Sequence, residues 1–475
     1  MSILKRNRKT KIVSTIGPIS ENQETIDALF QAGADVFRLN FSHGTHDEHA
    51  ERVRMIREAE KKFDRPVTIF ADMQGPKLRL GVFENEKIEV SKGHKIKLDS
   101  DPTAGNESRV CLPHPEIIEV LEVGADILVD DGNTELKVIA KGDDWVECEV
   151  VAGKWLKDKK GVNLPSVLLK KSVITEKDRK DLAAATKMDI DWIGLSFVQR
   201  PEDITEAREI IGDAGQQIIA KIEKPSAVEN FDEIVKLTDA VMIARGDLGV
   251  EIPPEQVPSV QKRIISVCRA EGKPVIVATQ MLDSMIGSPR PTRAEVTDVA
   301  TAVYDGTDAV MLSGETAFGD YPVESVTIMD KIARDAETNE IYQTVRASDM
   351  LPLEPSSSDA IAFAAENVAE VVEAKVIVVH TTSGATAARV ARVRPDTPIL
   401  CLTEDKIVAR RLQLSYGVNA IHVEGVKSFE DVVAKANELV KAKDMATTGD
   451  KVVITGGFPV GAAGSTNILH TMEVK

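Results

Sequence analysis

Short apolar segments with strand character alternate with amphipathic helical segments along most of this 475-residue chain. Because parallel strands need helical crossovers between them, this alternation is typical of an α/β fold with a parallel sheet. The predicted strands of this series are Lys11–Ile16, Val36–Phe41, Val67–Met73, Trp192–Val198, Ile218–Lys224, Ala240–Ala244, Pro274–Gln280 and Ala309–Ser313. Eight βα units over roughly 250 residues predict a TIM (β/α)8 barrel. A large doubly wound sheet is the less favoured alternative, because no GxGxxG motif follows the first strand.

The series is interrupted once, after Gly75-Pro76. Residues 77–168 lack a long amphipathic helix and contain many short strand-like segments with turn residues, which predicts an inserted all-β domain. The Pro/Ser-rich stretch LPLEPSSS (351–358) is typical of a linker, and a second α/β set follows it. The predicted strands of that set are Lys375–Thr381, Ile399–Thr403, Ala420–Val423 and Lys451–Thr455. We therefore predict a barrel over residues 1–75 and 169–345, a β-barrel lid over 76–168 and a C-terminal α/β domain over 355–475.

The charge balance and the composition argue against several classes of function. The formal net charge is −17 and aromatic residues make up 4% of the chain, so neither a basic nucleic-acid footprint nor a stacking platform is expected. No apolar run approaches the roughly 18 residues that span a bilayer, and we expect no secretory leader. The four cysteines lie far apart, without the spacing of a zinc site or a disulfide framework. These features favour a cytoplasmic protein that binds neither nucleic acid nor membrane.

Polar side chains follow most of the predicted barrel strands at their carboxyl ends, where this fold places its chemistry. These residues are Arg38, Asn40, Ser42, Asp72, Lys77, Arg79, Lys221, Glu223, Arg245, Gly246, Asp247, Thr279, Gln280, Ser313 and Glu315. The plain alternative is a set of buried ion pairs that only stabilise the barrel core. Because the residues come from independent strands that converge at one mouth, we favour a catalytic site.

Glu223 and Asp247 are two carboxylates on adjacent predicted strands, with no His or Cys beside them. Oxygen ligands suit Mg²⁺ or Mn²⁺, which keep water and substrate oxygens as their other ligands. Lys221 stands two residues before Glu223, so the period-two alternation of a strand places both side chains on one face. Together with Arg38 they predict a cationic pocket for a phosphorylated, carboxylated anion. A structural Lys221–Glu223 ion pair is the alternative, and Asp247 on the next strand favours the metal site.

Two glycines, Gly246 and Gly249, follow the sixth predicted barrel strand directly. Their backbone amides predict an anion nest that binds a substrate carboxylate. The signal is weak by itself, since any turn between a strand and a helix can carry two glycines.

Eight motifs stand in order along the chain and together carry a specific resemblance. They are KIVSTIGP (11–18), FRLNFSHG (37–44), KGVNLP (160–165), KIEKPSAVENFDEI (221–234), ARGDLGVEIP (244–253), ATQML (278–282), PTRAE (291–295) and MLSGETAFGDYP (311–322). With the β-insertion after the third strand, the chain resembles the pyruvate kinase family over essentially its whole length. The resemblance implies phosphoryl transfer from phosphoenolpyruvate to ADP with Mg²⁺ or Mn²⁺, giving pyruvate and ATP in the last step of glycolysis. It also implies a homotetramer whose β-insertion closes on the nucleotide.

The resemblance assigns roles to individual residues around the barrel mouth. Arg38 would contact the phosphate of phosphoenolpyruvate, and Lys221 would stabilise charge on the transferring phosphoryl group and the enolate oxygen. Thr279 would lie beside C3 of the enolate, while Glu223 and Asp247 would hold the metal ion. The implied substrate-binding residues are Arg38, Gly246, Asp247 and Thr279. The implied nucleotide-binding residues are Asn40, Arg79 and Lys160.

One departure from the family pattern concerns the monovalent cation. Its expected region comprises Asn40, Ser42, Asp72 and Lys77. Many members of the family read Asp-Thr-Lys-Gly-Pro-Glu after the third strand, whereas this chain reads Asp72-Met-Gln-Gly-Pro-Lys77. Met73 offers no side-chain oxygen, and the Lys77 ammonium replaces a carboxylate, as in the K⁺-independent branch of the family. We predict that Lys77 substitutes for K⁺ and that K⁺ is not required. The alternative is that Lys77 simply points to solvent.

The C-terminal domain carries hydroxyl residues between a predicted strand and a predicted helix. Hydroxyls and free amides at a helix N-terminus bind phosphate well, and the glycine-rich segment 456–467 is able to close over them. The resemblance implies an allosteric site for a phosphorylated effector, whereas helix capping beside an ordinary loop is the alternative. The implied effector-binding residues are Thr381, Thr382, Ser383, Gly384 and Thr386.

Two other functions remain open at this point. A carbon–carbon lyase or aldolase that handles pyruvate enolate with Mg²⁺ would need neither the β-lid nor the nucleotide-facing Arg79 and Lys160. A catalytically dead sensor of sugar phosphates would be expected to lose at least one of four residues, yet this chain retains Lys221, Glu223, Asp247 and Thr279.

Overall fold

The computed structural model describes residues 6–165, 172–340, 342, 355–460 and 466–475. Eight parallel strands form a closed barrel, which confirms the predicted TIM barrel. They are β1 (Lys11–Ile16), β2 (Val36–Asn40), β3 (Thr68–Asp72), β12 (Trp192–Leu195), β13 (Gln217–Ile222), β14 (Ala240–Ala244), β15 (Val275–Ala278) and β16 (Ala309–Leu312). Around the barrel their order is β1-β16-β15-β14-β13-β12-β3-β2. The strands are short and apolar because both of their faces are covered.

Helices connect and surround the barrel strands. They are α1 (Gln23–Ala32), α2 (His46–Phe63), α4 (Glu176–Ala185), α5 (Pro201–Ile211), α6 (Pro225–Glu229), α7 (Phe231–Leu237), α8 (Arg245–Glu251), α9 (Val257–Ala270), α10 (Arg293–Tyr304), α11 (Gly314–Ala317) and α12 (Pro322–Thr338). Local sequence sets several of their starts: Thr45 and Glu48 form a capping box at α2, and Thr292 and Glu295 form another at α10. No helix in the described ranges is both long and apolar enough to cross a membrane.

The insertion after β3 is an all-β unit with one short helix. Its elements are β4 (Lys87–Glu89), β5 (Lys95–Asp99), β6 (Arg109–Cys111), α3 (Pro115–Val120), β7 (Asp126–Val129), β8 (Thr134–Lys141), β9 (Trp145–Ala152), β10 (Trp155–Lys157) and β11 (Val162–Asn163). We predicted a β-barrel here, but the described strands form a six-stranded sheet, β11-β7-β8-β9-β5-β6, and a separate pair, β10-β4. The three-residue strands β4 and β10 pair only with each other, which leaves the larger sheet open. The exact boundaries of the lid remain a prediction.

The C-terminal unit is a five-stranded α/β sheet of order β19-β18-β17-β20-β21. Its elements are α13 (Ser357–Val371), β17 (Val376–His380), α14 (Ala385–Arg392), β18 (Ile399–Thr403), α15 (Lys406–Arg411), β19 (Val418–His422), α16 (Phe429–Ala442), β20 (Lys451–Gly456) and β21 (Ile468–Glu473). The last strand is antiparallel and was missed, because its half-exposed sequence ILHTME lacks a regular apolar pattern. The predicted linker falls partly on residues 351–354, which lie outside the described residues, and Ser357 already belongs to α13.

The C-terminal unit covers the amino-terminal end of the barrel. Leu414, just after α15, is fully buried among the residues that fill the barrel interior. Arg394 forms a buried ion pair with Asp308, the residue before β16, at 2.8 Å. Lys11, the first residue of β1, donates to the carbonyl oxygen of Val418 at 2.6 Å. The carboxyl end of the barrel, where β3 leads into the lid, is therefore the end left for a site.

Candidate active site

Lys221 occupies the centre of a charged cluster at the carboxyl end of the barrel. It lies on β13 with 8% of its surface exposed, and its Nζ is 3.1 Å from Asp72 Oδ1 and 2.9 Å from Glu223 Oε1. Burial by itself lowers the pKa of Lys221, but the charges of Asp72 and Glu223 outweigh it and hold the pKa above its ordinary value. Lys221 is therefore a fixed positive charge at neutral pH.

Arg38 supplies a second cation from the neighbouring strand β2. Its Nε donates to Asp72 Oδ2 at 2.7 Å, and its Nη1 donates to Thr15 Oγ1 at 3.3 Å. Burial raises the pKa of Asp72, but Lys221 and Arg38 reverse that effect and hold the pKa below its ordinary value. One buried carboxylate thus orients two cations towards the same space, so the structure brings together Arg38, Asp72 and Lys221 as the sequence predicted.

Glu223 and Asp247 lie at the ends of neighbouring strands. Glu223 follows β13 and is 1% exposed; its Oε2 accepts the N–H of Phe197 at 2.8 Å. Asp247 stands on α8, directly after β14, which pairs with β13. Burial raises the pKa of Glu223; the charge of Lys221 opposes this shift and that of Asp247 adds to it. The two carboxylates are thus close enough to interact.

This donor set fits Mg²⁺ or Mn²⁺ better than a metal with an all-protein cage. Within the described residues, no group of three or more His, Cys, Asp and Glu side chains has a metal-binding arrangement. Mg²⁺ is commonly held by one or two carboxylates, with water and substrate oxygens as its remaining ligands. Glu223, which is buried, and Asp247, which is half-buried, supply that number of carboxylates.

Thr279 stands beside Gly246 in a strained backbone conformation. Thr279 and Gln280 have φ angles of 69° and 53°, a left-handed pair that costs a β-branched residue about 1–3 kcal/mol. Arg245 stabilises the bend, because its Nη2 donates to the Thr279 carbonyl oxygen at 2.9 Å and its guanidinium pairs with Asp298 at 2.6 Å. The Thr279 hydroxyl thereby reaches Gly246, whose N–H donates to Thr279 Oγ1 at 2.7 Å.

Gly246 and Gly249, the two glycines of the predicted anion nest, lie in helical backbone. Both glycines belong to the short helix α8, and neither is among the residues with positive φ. A Cβ at Gly246 would lie 3.2 Å from Thr279 Oγ1, so a larger residue there would press on the Thr279 side chain. The Gly246 amide belongs to the first turn of a helix and not to a turn with positive φ, and its binding of a substrate carboxylate stays a prediction.

Asn40 lies on the barrel, while the other two predicted nucleotide residues lie on the lid. Asn40 pairs with Asp72 in the β2–β3 register, and its Oδ1 accepts the N–H of Ser42 at 3.1 Å. Asn40 and Ser42 thus border the Asp72 cluster, as expected for their predicted region.

Glu315 lies at the mouth, on the short helix α11 directly after β16, and its contacts there are to the backbone. It is 2% exposed and accepts backbone N–H groups from Leu282 at 3.1 Å and Ser313 at 2.7 Å. Burial raises the pKa of its carboxyl, and its two oxygens brace the loops after β15 and β16. Gln280 is exposed.

Arg79 and Lys160 lie side by side on the lid. Arg79 forms a backbone bridge with Gly161, and its Nη1 donates to the Lys159 carbonyl oxygen at 2.9 Å. Lys160 Nζ is 2.7 Å from Asp130 Oδ1. Both cations are at least partly open to solvent, so they are available to an anion that enters below the lid.

A cleft separates the lid from the barrel mouth. Its lining includes Lys77, Asp131, Asn163, Phe197, Lys224 and Asp247. Lys77 is exposed on this cleft, and within the described residues no ion pair joins it to Asp72, which Arg38 and Lys221 already bind. The structure thus places Lys77 on a cleft that Asp247 also lines, and its role in place of K⁺ stays a prediction.

The sequence reasoning missed several residues of this site. Ser196 accepts a hydrogen bond from Lys221 Nζ at 2.6 Å, and Phe197 has a left-handed φ of 58° that directs its N–H to Glu223. Lys224 and Glu251 form a buried pair at 2.5 Å. The sequence does contain a signal for Ser196, because this polar residue directly follows β12 at the carboxyl end of the barrel.

The predicted effector loop is partly described. Thr381 Oγ1 accepts the N–H of Gly384 at 3.0 Å, and Gly384 is the left-handed N-cap of α14. Thr386 shares a hydrogen bond of 2.8 Å with Thr466, which ties the helix to the segment just before the last strand, while Thr382 and Ser383 are exposed. Residues 461–465 of the glycine-rich segment lie outside the described residues. Exposed hydroxyls beside a helix N-terminus leave room for an anion here.

Two family descriptions match nearly the whole chain. Pyruvate kinase, barrel domain, matches residues 7–326, and pyruvate kinase, alpha/beta domain, matches residues 359–472. The chain belongs to the pyruvate kinase family. Members of this family are phosphotransferases, and the charged pocket at the barrel mouth of this chain agrees with that class.

Several curated pyruvate kinases are similar over nearly their full length. The identity is 47% over 468 residues to the enzyme of Methylorubrum extorquens, covering 98% of each chain. It is 41% to that of Clostridium perfringens, covering 98% of this chain and all of the relative. The crystal structure of a pyruvate kinase from Cryptosporidium parvum superimposes with a TM-score of 0.92 at 37% identity, covering 99% of this chain and 97% of that one. The barrel and the C-terminal domain thus follow a known pyruvate kinase architecture.

Proposed function

We propose that this protein transfers the phosphoryl group of phosphoenolpyruvate to ADP with Mg²⁺ or Mn²⁺, giving pyruvate and ATP in the last step of glycolysis. One observation carries the proposal. The buried Lys221 and the half-buried Arg38 share Asp72, and the carboxylates Glu223 and Asp247 follow the neighbouring strands β13 and β14 at the barrel mouth. A phosphorylated carboxylate whose charge moves during reaction needs fixed cations and a metal ion side by side.

In this reaction the bond from phosphorus to the enol oxygen breaks as a bond forms to an oxygen of the β-phosphate of ADP. Arg38 binds the phosphate, and Lys221 stabilises the charge on the moving phosphoryl group and on the enolate oxygen. Glu223 and Asp247 would hold the metal ion, which would supply further positive charge to the reacting phosphoryl group. Because the protein contributes no covalent bond, its work is positioning and electrostatic stabilisation.

The carboxylate end of the substrate is bound on the other side of the pocket. Gly246 and Asp247, on the first turn of α8, line it, and Thr279 stands beside C3 of the enolate. C3 takes up a proton to complete pyruvate. The Thr279 hydroxyl is already held by two hydrogen bonds, from the Gly246 N–H and to the Ala278 carbonyl oxygen, both at 2.7 Å, which supports a fixed position beside C3.

The nucleotide binds between the barrel and the lid. Arg79 and Lys160 pair with its phosphates from the lid, and Asn40 does so from the barrel. Closure of the lid excludes water, so that the phosphoryl group passes to ADP and not to water. The exposed cations and the cleft beneath them support this role.

The reaction does not require K⁺. Met73 supplies no side-chain oxygen for a monovalent cation, and the exposed Lys77 ammonium lies on the cleft where it is able to approach bound phosphates. The Lys77 ammonium carries the same charge as K⁺ and needs no coordination cage.

Three further expectations follow from membership of the family. A phosphorylated effector binds at Thr381, Thr382, Ser383, Gly384 and Thr386, and the protein is a cytoplasmic homotetramer. The exposed hydroxyls at the start of α14 support the effector site.

The test is pyruvate formation from phosphoenolpyruvate and ADP with Mg²⁺, first in buffer free of K⁺, Na⁺ and NH₄⁺ and then with K⁺ added. We expect equal rates in both buffers. Activity only with K⁺ would support the proposed reaction but would reject the proposal that Lys77 substitutes for K⁺. No pyruvate from folded protein in either buffer, with sugar phosphates also tried as activators, would reject the proposed function.

A matched variant sharpens the test of Lys77. Lys77→Glu restores a carboxylate at this position and is expected to make the rate rise with K⁺. Lys159→Glu changes the same charge at a nearby exposed lid residue and is expected to leave the K⁺ response flat.

A further inference from the structure

Ser196 is the uncharged member of the set of groups that bind Lys221. An ammonium has three N–H donors, and the structure offers three acceptors at hydrogen-bonding distance. Asp72 Oδ1 lies at 3.1 Å, Glu223 Oε1 at 2.9 Å and Ser196 Oγ at 2.6 Å. Ser196 therefore provides the shortest of these contacts to Lys221.

The Ser196 hydroxyl is itself oriented by the backbone of β3 and its continuation. Its proton is directed to the Met73 carbonyl oxygen at 2.7 Å, while Asp72 Oδ1 is farther away at 3.4 Å. Met73 is in turn fixed, since its N–H donates to the Gly194 carbonyl oxygen at 2.9 Å. With its proton on Met73, the hydroxyl presents a lone pair to Lys221.

The other two acceptors have competing partners. Asp72 also binds Arg38, and Glu223 also accepts the N–H of Phe197 and is assigned to the metal ion in the proposed function. Ser196 is 2% exposed, and Lys221 is the only cation among its described hydrogen-bond partners. As a neutral group, it holds the ammonium without cancelling its charge.

We propose that Ser196 is a positioning residue for the reaction: it fixes Nζ of Lys221 towards the transferring phosphoryl group and leaves its positive charge available. This inference rests on the proposed function of Lys221. Ser196 does not touch the reacting atoms itself, so its effect has to pass through Lys221.

The first test compares Ser196→Ala with Ser14→Ala. Ser14 is a matched control, since it is a fully buried serine on β1 whose Oγ has no hydrogen-bond partner among the described residues. We expect Ser196→Ala to lower kcat roughly tenfold to hundredfold, the range of a hydrogen bond to a charged group. We expect the KM for ADP to stay within about twofold, and Ser14→Ala to keep the wild-type kcat.

A second comparison separates the hydroxyl from the shape of the side chain. Ser196→Thr and Ser196→Val have nearly the same volume, but only the threonine can accept a hydrogen bond from Lys221. We expect kcat of the threonine variant to exceed that of the valine variant by at least about tenfold. If Ser196→Ala fails to fold, the comparison of Ser196→Thr with Ser196→Val still tests whether catalysis needs a hydroxyl at position 196.

A double-mutant cycle tests whether the effect passes through Lys221. The factor by which Ser196→Ala lowers kcat should be at least fivefold smaller in a Lys221→Arg background than in the wild-type background. The reason is that the hydrogen bond between residues 196 and 221 is already altered by Lys221→Arg. Equal costs in both backgrounds would mean that Ser196 acts on its own. The proposal would be overturned if folded Ser196→Ala had the wild-type kcat, or if the threonine and valine variants had equal kcat. The proposed function itself would be rejected if the wild-type protein formed no pyruvate.

Discussion

Lys221→Met removes the central charge of the site and leaves a side chain of similar length. If the transferring phosphoryl oxygens lie about 4 Å from Nζ, the lost interaction is about 4 kcal/mol at an effective dielectric constant of about 20. That energy corresponds to roughly a thousandfold loss of kcat. The measurement is pyruvate formation at saturating phosphoenolpyruvate and ADP, with thermal unfolding in parallel. A folded Lys221→Met variant with more than about a tenth of the wild-type kcat would refute the assigned role.

Lys224→Met is the matched control for that experiment. Lys224 is 7% exposed and lies three residues from Lys221, and its Nζ binds Glu251 Oε1 at 2.5 Å. Both variants break a buried ion pair, so each is expected to lose about 3–5 kcal/mol of stability. We expect Lys224→Met to keep at least about a tenth of the wild-type kcat. A loss as large as that of Lys221→Met would show that general damage to the barrel mouth explains both.

Three other perturbations probe the interface and the lid. Burial lowers the pKa of Lys11 from 10.5 to about 7, so the folded state releases a proton that the unfolded chain keeps, and stability rises with pH above about 7. Between pH 7 and pH 9, the free energy of unfolding in urea should rise by roughly 2 kcal/mol more for the wild type than for Lys11→Met. The same pH dependence of that free energy in both proteins would contradict this. Arg79→Ala should raise the KM for ADP about tenfold with little change in that for phosphoenolpyruvate, while Arg109→Ala, elsewhere on the lid, should change neither. Asp308→Asn breaks the buried pair with Arg394 and should cost about 3–5 kcal/mol, seen as earlier proteolytic release of the C-terminal unit; unchanged proteolysis would contradict it.

The barrel and most of the charged residues that meet at its mouth could be predicted from the sequence alone. Each barrel strand is a short apolar run between helical segments, and this pattern depends on near neighbours in the chain. Lys221 and Glu223 share a face because they are two residues apart in an extended segment, a relation that local geometry imposes. Their approach to Arg38 and Asp72 followed once the order of parallel strands was assumed, since the carboxyl ends of such strands meet at one end of a barrel.

Elements with weak local patterns were not accessible in this way. The edge strand β21 is half exposed and lacks a regular apolar alternation, so only its pairing with β20 defines it. The lid was expected to be a barrel, but which of its short strands pair depends on contacts between segments far apart in sequence. The two glycines after β14 became part of a helix, because φ at a glycine is set by its surroundings and not by the residue type.

By itself, the sequence determined the fold class, the family and the identity of the charged residues at the barrel mouth, because these depend on local periodicity and on motifs read in order. Only the tertiary structure decided that Ser196 completes the shell of Lys221, that Glu315 braces two loops and that Lys77 faces the lid cleft. The physical reason is that a hydrogen bond of 2.6 Å between neighbouring strands depends on register and side-chain direction. Those are properties of the packed barrel, and no single segment of the chain carries them.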